Sequence, residues 1–413
     1  MSSINSTKNK KYDIVIWGAT GFTGRLVAEY FSTHFNKSGL RWALAARNEQ
    51  KLDAIIKRIK FNDEIPAKII ANIQDTDSID YMTSSTKVII STVGPYAKYG
   101  TTLIKSCIKN NTDYCDLAGE SQWIRKMIDE YHEKAEANGT RIIMSCGFDS
   151  VPSDLGVQLL NKHAKDIHGE NCSSIKMLVR AIKGSASGGT IASILNLIDE
   201  VGNDRSILKK IANPYALNPK GERQGPDKRE QQNHLYNKEL KVWTGPFIMA
   251  AINTRIVRRT NAILDYPYGK QFSYDEATIS GSGLIGYLKA IGSVIGIKIF
   301  TILAAVPLLR KIFLDPRIPK QGEGPNKNER ESGYFNLIMI GKLPNNKKLK
   351  LRIKGDRDPG YGSTSKMLSE CALCLLNDNI DVPGGIWTPA SALGEKLLKR
   401  MQDNAGLSFE FEN

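Results

Sequence analysis

Gly18, Gly21 and Gly24 lie in the run WGATGFTGR, directly behind the apolar stretch YDIVIW at 12–17. Three glycines at that spacing remove side chains where the chain leaves a buried strand, at a cost in backbone entropy. A turn of this kind feeding a helix aims backbone N–H groups and the helix dipole at a phosphate. Gly18 permits the tight turn, Gly21 the approach of a diphosphate, and Gly24 close packing of the new helix on the sheet. Thr20, Phe22 and Thr23 complete the loop. The spacing is GxxGxxG and not the commoner GxGxxG, so a ligand-free strand–helix turn stands as the alternative.

The next strand discriminates between dinucleotides. An NAD site carries an acid there to hold the ribose 2′-OH. Here LAARNEQ puts Arg47 and Asn48 at the strand end, with Glu49 the nearest acid. Guanidinium matches a 2′-phosphate, which predicts NADP(H); the alternative is a solvated arginine at a helix start.

Further polar groups follow at later strand ends, the edge where open parallel sheets bind ligands. STVGPYAKYG (91–100) uses Gly94-Pro95 to turn sharply and sets Tyr96 over the crevice, near the expected nicotinamide. DYCDLAGE (113–120) offers Asp113, Asp116 and Glu120. CGFDSVPSDLG (146–156) offers Asp149, Ser150 and Asp154, with Ser153 or Asp154 expected to cap the next helix. None of the five histidines has a metal partner at ligand spacing, so no metal is expected.

These residues need a frame. Strand patterns at 12–17, 41–46, 67–71, 87–92, 113–116 and 140–146 alternate with helical patterns at 22–35, 48–60, 76–85, 99–110 and 120–138. Alternation of apolar strands with helices predicts an α/β fold, with a Rossmann-type parallel sheet over 12–150 behind a polar tail at 1–11. From 151 to 413 the rhythm changes. Strand patterns at 174–183, 270–279, 333–342 and 348–355 predict a second, α+β domain on a mixed sheet, for substrate binding and oligomerisation. Polar excursions at 213–240 and 315–333 read as surface loops. Residues 284–314 are the most apolar of the chain, broken by Lys289, Lys298 and Pro307 and closed by Arg310 and Lys311. A buried helical hairpin, an interfacial helix and a membrane span all remain open for them.

The formal charge is +14, from 57 basic and 43 acidic residues, which favours anionic partners. The cations are scattered, without a groove-reading helix or zinc-finger spacing, so nucleic acid is not expected. The polar opening MSSINSTKNK does not read as a signal peptide. Six cysteines without a disulfide pattern point to a reducing cytoplasm, and Cys371-x-x-Cys374 reads as buried thiols.

Several longer phrases carry a family likeness: IVIWGATGFTGRLVAEY, STVGPYAKYG, TDYCDLAGE, CGFDSVPSDLG, INTRIVRRTNAIL, GEGPNKNERESGYF, GDRDPGYGSTSKMLSECAL and GGIWTPASALGEKL. In them the chain resembles the saccharopine dehydrogenase-like oxidoreductases, within them the branch of the trans-acting enoyl reductases. The resemblance implies a Rossmann domain followed by a mixed-sheet domain, with Gly18, Gly21, Gly24 and Arg47 on the cofactor. It implies reduction of a carbon–carbon double bond on a lipid-like or polyketide-derived chain, free or carrier-linked. Animal relatives of this group carry an apolar segment at a similar place and associate with membranes or lipid droplets. That makes 284–314 read less like ordinary core. The expected location is the cytoplasm, with attachment to the inner face of a membrane, an anionic membrane surface as partner and a homodimer left open.

The expected activity is thus an NADP(H)-dependent enoyl reduction. Tyr96 is the first candidate for proton donor or orienter, with Asp116 and Asp149 behind it. An amino-acid dehydrogenase of the saccharopine type and a non-enzymatic, membrane-attached dinucleotide sensor or scaffold are the alternatives.

Overall fold

A computed structural model describes residues 10–34, 39–59, 61, 65–184, 187–318 and 322–412. Six strands come first: β1 (Tyr12–Trp17), β2 (Trp42–Ala46), β3 (Ala67–Ile70), β4 (Thr86–Ser91), β5 (Asp113–Asp116) and β6 (Arg141–Ile143). Helices α1 (Phe22–His34), α2 (Glu49–Arg58), α3 (Thr76–Ser84), α4 (Tyr96–Lys109) and α5 (Ser121–Asn138) connect them. All of β1, β2 and β5 and most of β4 are buried, as parallel strands covered on both faces must be. Register aligns the strand ends in one row: Trp17 lies opposite Ala45 and Ser91, and Ser91 opposite Asp116. The segments leaving β1, β4 and β5 therefore emerge side by side.

The remainder comprises α6 (Val151–His168), β7 (Ser174–Lys183), α7 (Gly188–Asn203), α8 (Ser206–Ala212), β8 (Leu235–Asn237), β9 (Val242–Pro246), α9 (Ala250–Ile263) and β10 (Ser273–Gly281). Then come α10 (Gly283–Ala305), α11 (Pro307–Leu309), α12 (Lys327–Glu331), β11 (Tyr334–Lys342), β12 (Lys348–Gly355), α13 (Thr364–Asn377), β13 (Gly385–Trp387), α14 (Pro389–Asp403) and β14 (Leu407–Glu412). The second sheet is mixed, in the order β14-β12-β11-β7-β10-β9-β8, with β7 and β10 parallel and the other pairs antiparallel.

The linear division at residue 150 is incomplete. The first sheet runs β13-β6-β5-β4-β1-β2-β3, so its seventh strand comes from the far end of the chain. One apolar cluster runs from Ile14 and Leu44 through Leu155 and Met367 to Met339 and Leu351. The helices after β6 and β12 thus give both sheets a shared core, and burying such side chains contributes about 1.5–3 kcal/mol each.

Two further expectations are sharpened and one is corrected. Of the polar tail expected at 1–11, residues 1–9 lie outside the described residues, and Lys10 is buried. Its Nζ donates to Asn110 O at 2.9 Å, Asn111 O at 2.8 Å and Thr112 Oγ1 at 2.6 Å. The 213–240 excursion runs over the surface as expected and is tied down there, with buried Arg258 and Arg255 on α9 binding Asp227 at 2.6 Å and Glu230 at 2.7 Å. Residues 284–314 do not form a buried hairpin. In α10 only Gly286, Ala290, Val294 and Ala304 are buried, while Leu284 is 71 % exposed and Ile302 58 %. The six cysteines are free and buried.

Candidate active site

Gly18 adopts φ +89°, and a Cβ there would meet Val93 Cγ2 at 2.6 Å and Thr92 Oγ1 at 2.7 Å. A Cβ on Gly24 would lie 2.2 Å from Gly18 O, which is how closely α1 approaches the strand it follows. Gly21 is less crowded, with Gly18 O at 3.2 Å its one neighbour within 4 Å. Packing inside the protein thus demands two of the glycines, and the third leaves the loop backbone open. This cradle fits a dinucleotide diphosphate.

At the end of β2, Arg47 is exposed and has no hydrogen bond or ion pair among the described residues. Asn48 accepts Lys51 N–H at 2.8 Å and caps α2. Glu49, the acid nearest the position an NAD ribose needs, is engaged by Lys68 Nζ at 3.3 Å. A free guanidinium beside a committed carboxylate suits a 2′-phosphate.

A cavity of about 130 Å³ opens where the strand-end row meets the second domain. Thr23, Thr92, Gly94, the Tyr96 ring, Glu120 and Asp149 line the Rossmann side, and Ser193, Ile194, Leu197, Met249, Gly360 and Thr364 the other. Among its lining residues, all described, none is Arg or Lys.

The three catalytic candidates separate sharply. Tyr96 opens α4 and is buried; its hydroxyl donates to Ser91 O at 3.1 Å and accepts Leu117 N–H at 3.1 Å. Burial and the nearby Asp116 push its pKa well up. The hydroxyl ties two strand ends together, an arrangement that suits the orienter of the two expected roles, and the residue borders the cavity. Asp116 does not border the cavity. Fully buried, it accepts Tyr114 OH at 2.8 Å, Ala118 N–H at 2.9 Å and Ser145 N–H at 3.0 Å. It shapes the 116–118 turn and holds the 145–146 turn against it.

Asp149 is different. The residue lines the cavity, half-buried, and its carboxyl has no hydrogen bond among the described residues. Desolvation alone pushes its pKa up to about 7. An unpaired carboxyl that keeps its proton up to about pH 7 can act as a general acid.

Glu120 is the residue whose importance the sequence understated. It is buried, and Oε1 accepts Tyr96 N–H at 2.7 Å and Ser193 OH at 2.7 Å, while Oε2 accepts Ala97 N–H at 2.9 Å. One carboxylate thus satisfies the first amides of α4 and grips α7 of the second domain. Asp154, expected to cap α6, instead accepts Thr260 OH at 2.5 Å and Ala390 N–H at 2.8 Å, joining α9 to the start of α14. Asp113 pairs with Arg141, away from the cavity.

Comparison with known proteins agrees with this geometry. Residues 14–143 match the family described as the saccharopine dehydrogenase NADP binding domain, and NADP is the cofactor. A Mycobacterium tuberculosis relative is 36 % identical, the match covering 97 % of each chain. The trans-acting enoyl reductase of Mycobacterium leprae is 33 % identical, over 96 % of this chain and 97 % of its own. The saccharopine dehydrogenase (L-Glu forming) of Saccharomyces cerevisiae superposes with a TM-score of 0.54 at 11 % identity, over 97 % of this chain and 100 % of the other, which establishes the shared fold. The chain belongs to the trans-acting enoyl reductase branch of the saccharopine dehydrogenase-like oxidoreductases.

Proposed function

We propose that this protein is an NADPH-dependent reductase of the carbon–carbon double bond in an apolar enoyl chain carried as a thioester. The observation that carries this reading is the cavity wall: two carboxyls, small hydroxyls and the apolar Ile194, Leu197 and Met249, with no cation among its lining residues. An amino-dicarboxylate substrate of the saccharopine type needs paired cations, whereas an acyl chain needs apolar cover.

NADPH, when bound, would supply a hydride for the β-carbon of the enoyl group. The protein's part is position, dryness and one proton. The glycine loop would hold the diphosphate and Arg47 the 2′-phosphate, while Tyr96 and Gly94 border the cavity. Asp149, protonated below about pH 7, gives its proton to the α-carbon as the enolate collapses. Glu120, by holding Ser193, keeps α7 over the cavity and water out.

Mixing enzyme, NADPH and an enoyl thioester tests this reading against the amino-acid dehydrogenase and sensor alternatives. NADPH oxidation should follow the enoyl thioester, and no turnover should appear with lysine, glutamate and 2-oxoglutarate. The opposite pattern overturns the reading.

A second element concerns where the substrate is met. Helix α10 has a mean hydropathy of 1.8 and is the one described helix long and apolar enough to cross a membrane. Exposed Lys289 and Lys298 interrupt its apolar face, a composition suited to lying along an anionic surface with the lysines reaching the headgroups. The protein is accordingly read as peripheral on such a surface, close to its lipid-like substrate.

A further inference from the structure

Residues 22–25 and 360–366 present alternate side chains to two different spaces. Thr23, Gly360 and Thr364 face the cavity, whereas Phe22, Arg25, Gly362 and Lys366 line a separate open cleft of about 810 Å³. Phe22, at the edge of the cleft, packs on Tyr361, with ring centroids 4.6 Å apart. The segment before α12 closes the far side, where Gly324 sits so tightly on Phe22 that a Cβ would lie 2.7 Å from the ring.

This cleft is cationic. Arg25, Arg58, Lys327, Arg330, Arg357 and Lys366 line it against Glu29, Glu323 and Glu331. Two of the guanidinium groups stack on Phe22, Arg25 at 4.8 Å and Arg330 at 5.5 Å from the ring centroid. The Arg25 side chain is only 12 % exposed, yet it makes no hydrogen bond among the described residues, and Glu29 Oε1 at 3.8 Å is its one ion-pair contact. Arg58 makes neither contact, and Arg330 donates only to Pro325 O at 2.7 Å. Burial and the charges of Arg58 and Arg330 depress the pKa of Arg25. Gathering like charges around a largely buried guanidinium whose one partner, Glu29, stands 3.8 Å away is unfavourable unless a further anion joins them.

We propose that this cleft holds the phosphate of the substrate's thioester handle, in coenzyme A or in a carrier's phosphopantetheine arm. A bidentate guanidinium is suited to phosphate, and adjacent residues border the two spaces, Phe22 beside Thr23 and Ser365 beside Thr364, so an arm seated in the cleft starts next to the cavity that holds Asp149. The proposal rests on the enoyl-reductase reading for the identity of the handle, not for the presence of an anion site.

The test compares one enoyl chain on coenzyme A and on N-acetylcysteamine, which has no phosphate, in wild type, Arg25→Gln and Arg58→Gln. Arg58 is exposed and bonded to nothing among the described residues, so its replacement leaves folding intact. The expected result is a KM for the coenzyme A thioester raised about tenfold or more, with kcat, the N-acetylcysteamine KM and NADPH affinity unchanged. Equal KM increases for both thioesters, or loss of NADPH affinity, overturn the proposal. Calorimetry with coenzyme A alone separates the two readings. Binding that the variants lose, in a protein that reduces no enoyl thioester, keeps the anion site and discards the reductase. Absence of coenzyme A binding to wild type discards the site. Competition by 4′-phosphopantetheine as strong as that by coenzyme A assigns the contact to the phosphate that carrier-linked substrates share; competition by coenzyme A alone assigns it to the nucleotide end.

Discussion

Glu120 Oε1 accepts the hydroxyl of Ser193 at 2.7 Å, joining the loop after β5 to helix α7 across the cavity. The same oxygen accepts Tyr96 N–H, so the start of α4, the cavity floor and the helix above it share one acceptor. Ser193→Ala removes one donor and leaves Glu120 its two amide partners; the expected loss is about 0.5–1.5 kcal/mol, with faster hydrogen exchange confined to α7. Glu120→Gln places an amide against donors and should cost more, about 1–3 kcal/mol, with α4 loosened too. Thermal denaturation and exchange mass spectrometry measure both. Uniform exchange across the chain in Ser193→Ala would falsify the latch.

Asp149→Asn should lower kcat by about 10²–10⁴-fold with NADPH affinity unchanged. The pH dependence follows from the raised pKa. The acid form is the active one, so wild-type kcat is level on the acid side and falls as pH rises through about 7. The asparagine variant should lose that descent. Tyr96→Phe is the contrast: it leaves Ser91 O and Leu117 N–H without their partner, costs about 1–3 kcal/mol in stability and changes the hydride step less than about threefold. Stopped-flow oxidation of bound NADPH across pH reads both. A large rate loss in Tyr96→Phe with a normal Asp149→Asn profile reverses the assignment.

Arg47→Ala should weaken NADPH by about ten- to a hundredfold and NADH little, because the 2′-phosphate is the one group that differs. Gly21→Val should damage both, since it fills the loop. Titration by cofactor fluorescence decides it; equal losses for the two cofactors in Arg47→Ala return that residue to the ordinary surface.

Wild-type protein should float with liposomes containing anionic lipid, and less, though still measurably, in high salt. Leu288→Glu with Ile295→Glu puts two charges on the exposed face of α10 and should abolish flotation without lowering thermal stability, because neither side chain is buried. Flotation that survives the double substitution removes α10 from membrane attachment.

Much of this protein is decided locally. A glycine loop behind an apolar strand, Arg47 at the end of the next strand, and strand–helix alternation to residue 143 depend on contacts within a few turns of chain. Their reading from type and spacing therefore matched the sheet and NADP. The apolar character of 284–314 was equally plain, but its exposure was not, since hydropathy does not tell what packs against a helix. What only tertiary structure decided were the partners of polar groups. Tyr96, Asp116 and Asp149 are equivalent in sequence, each beside a strand end. Folding then spends the Tyr96 hydroxyl on Ser91 and Leu117, gives Asp116 three donors, and leaves Asp149 none among the described residues. Likewise Glu120 meets Ser193 from 73 positions away, and β13 closes the first sheet from the far end of the chain. A hydrogen bond is short-ranged and directional, so which acid keeps a free proton depends on neighbours that only the folded chain brings within about 3 Å.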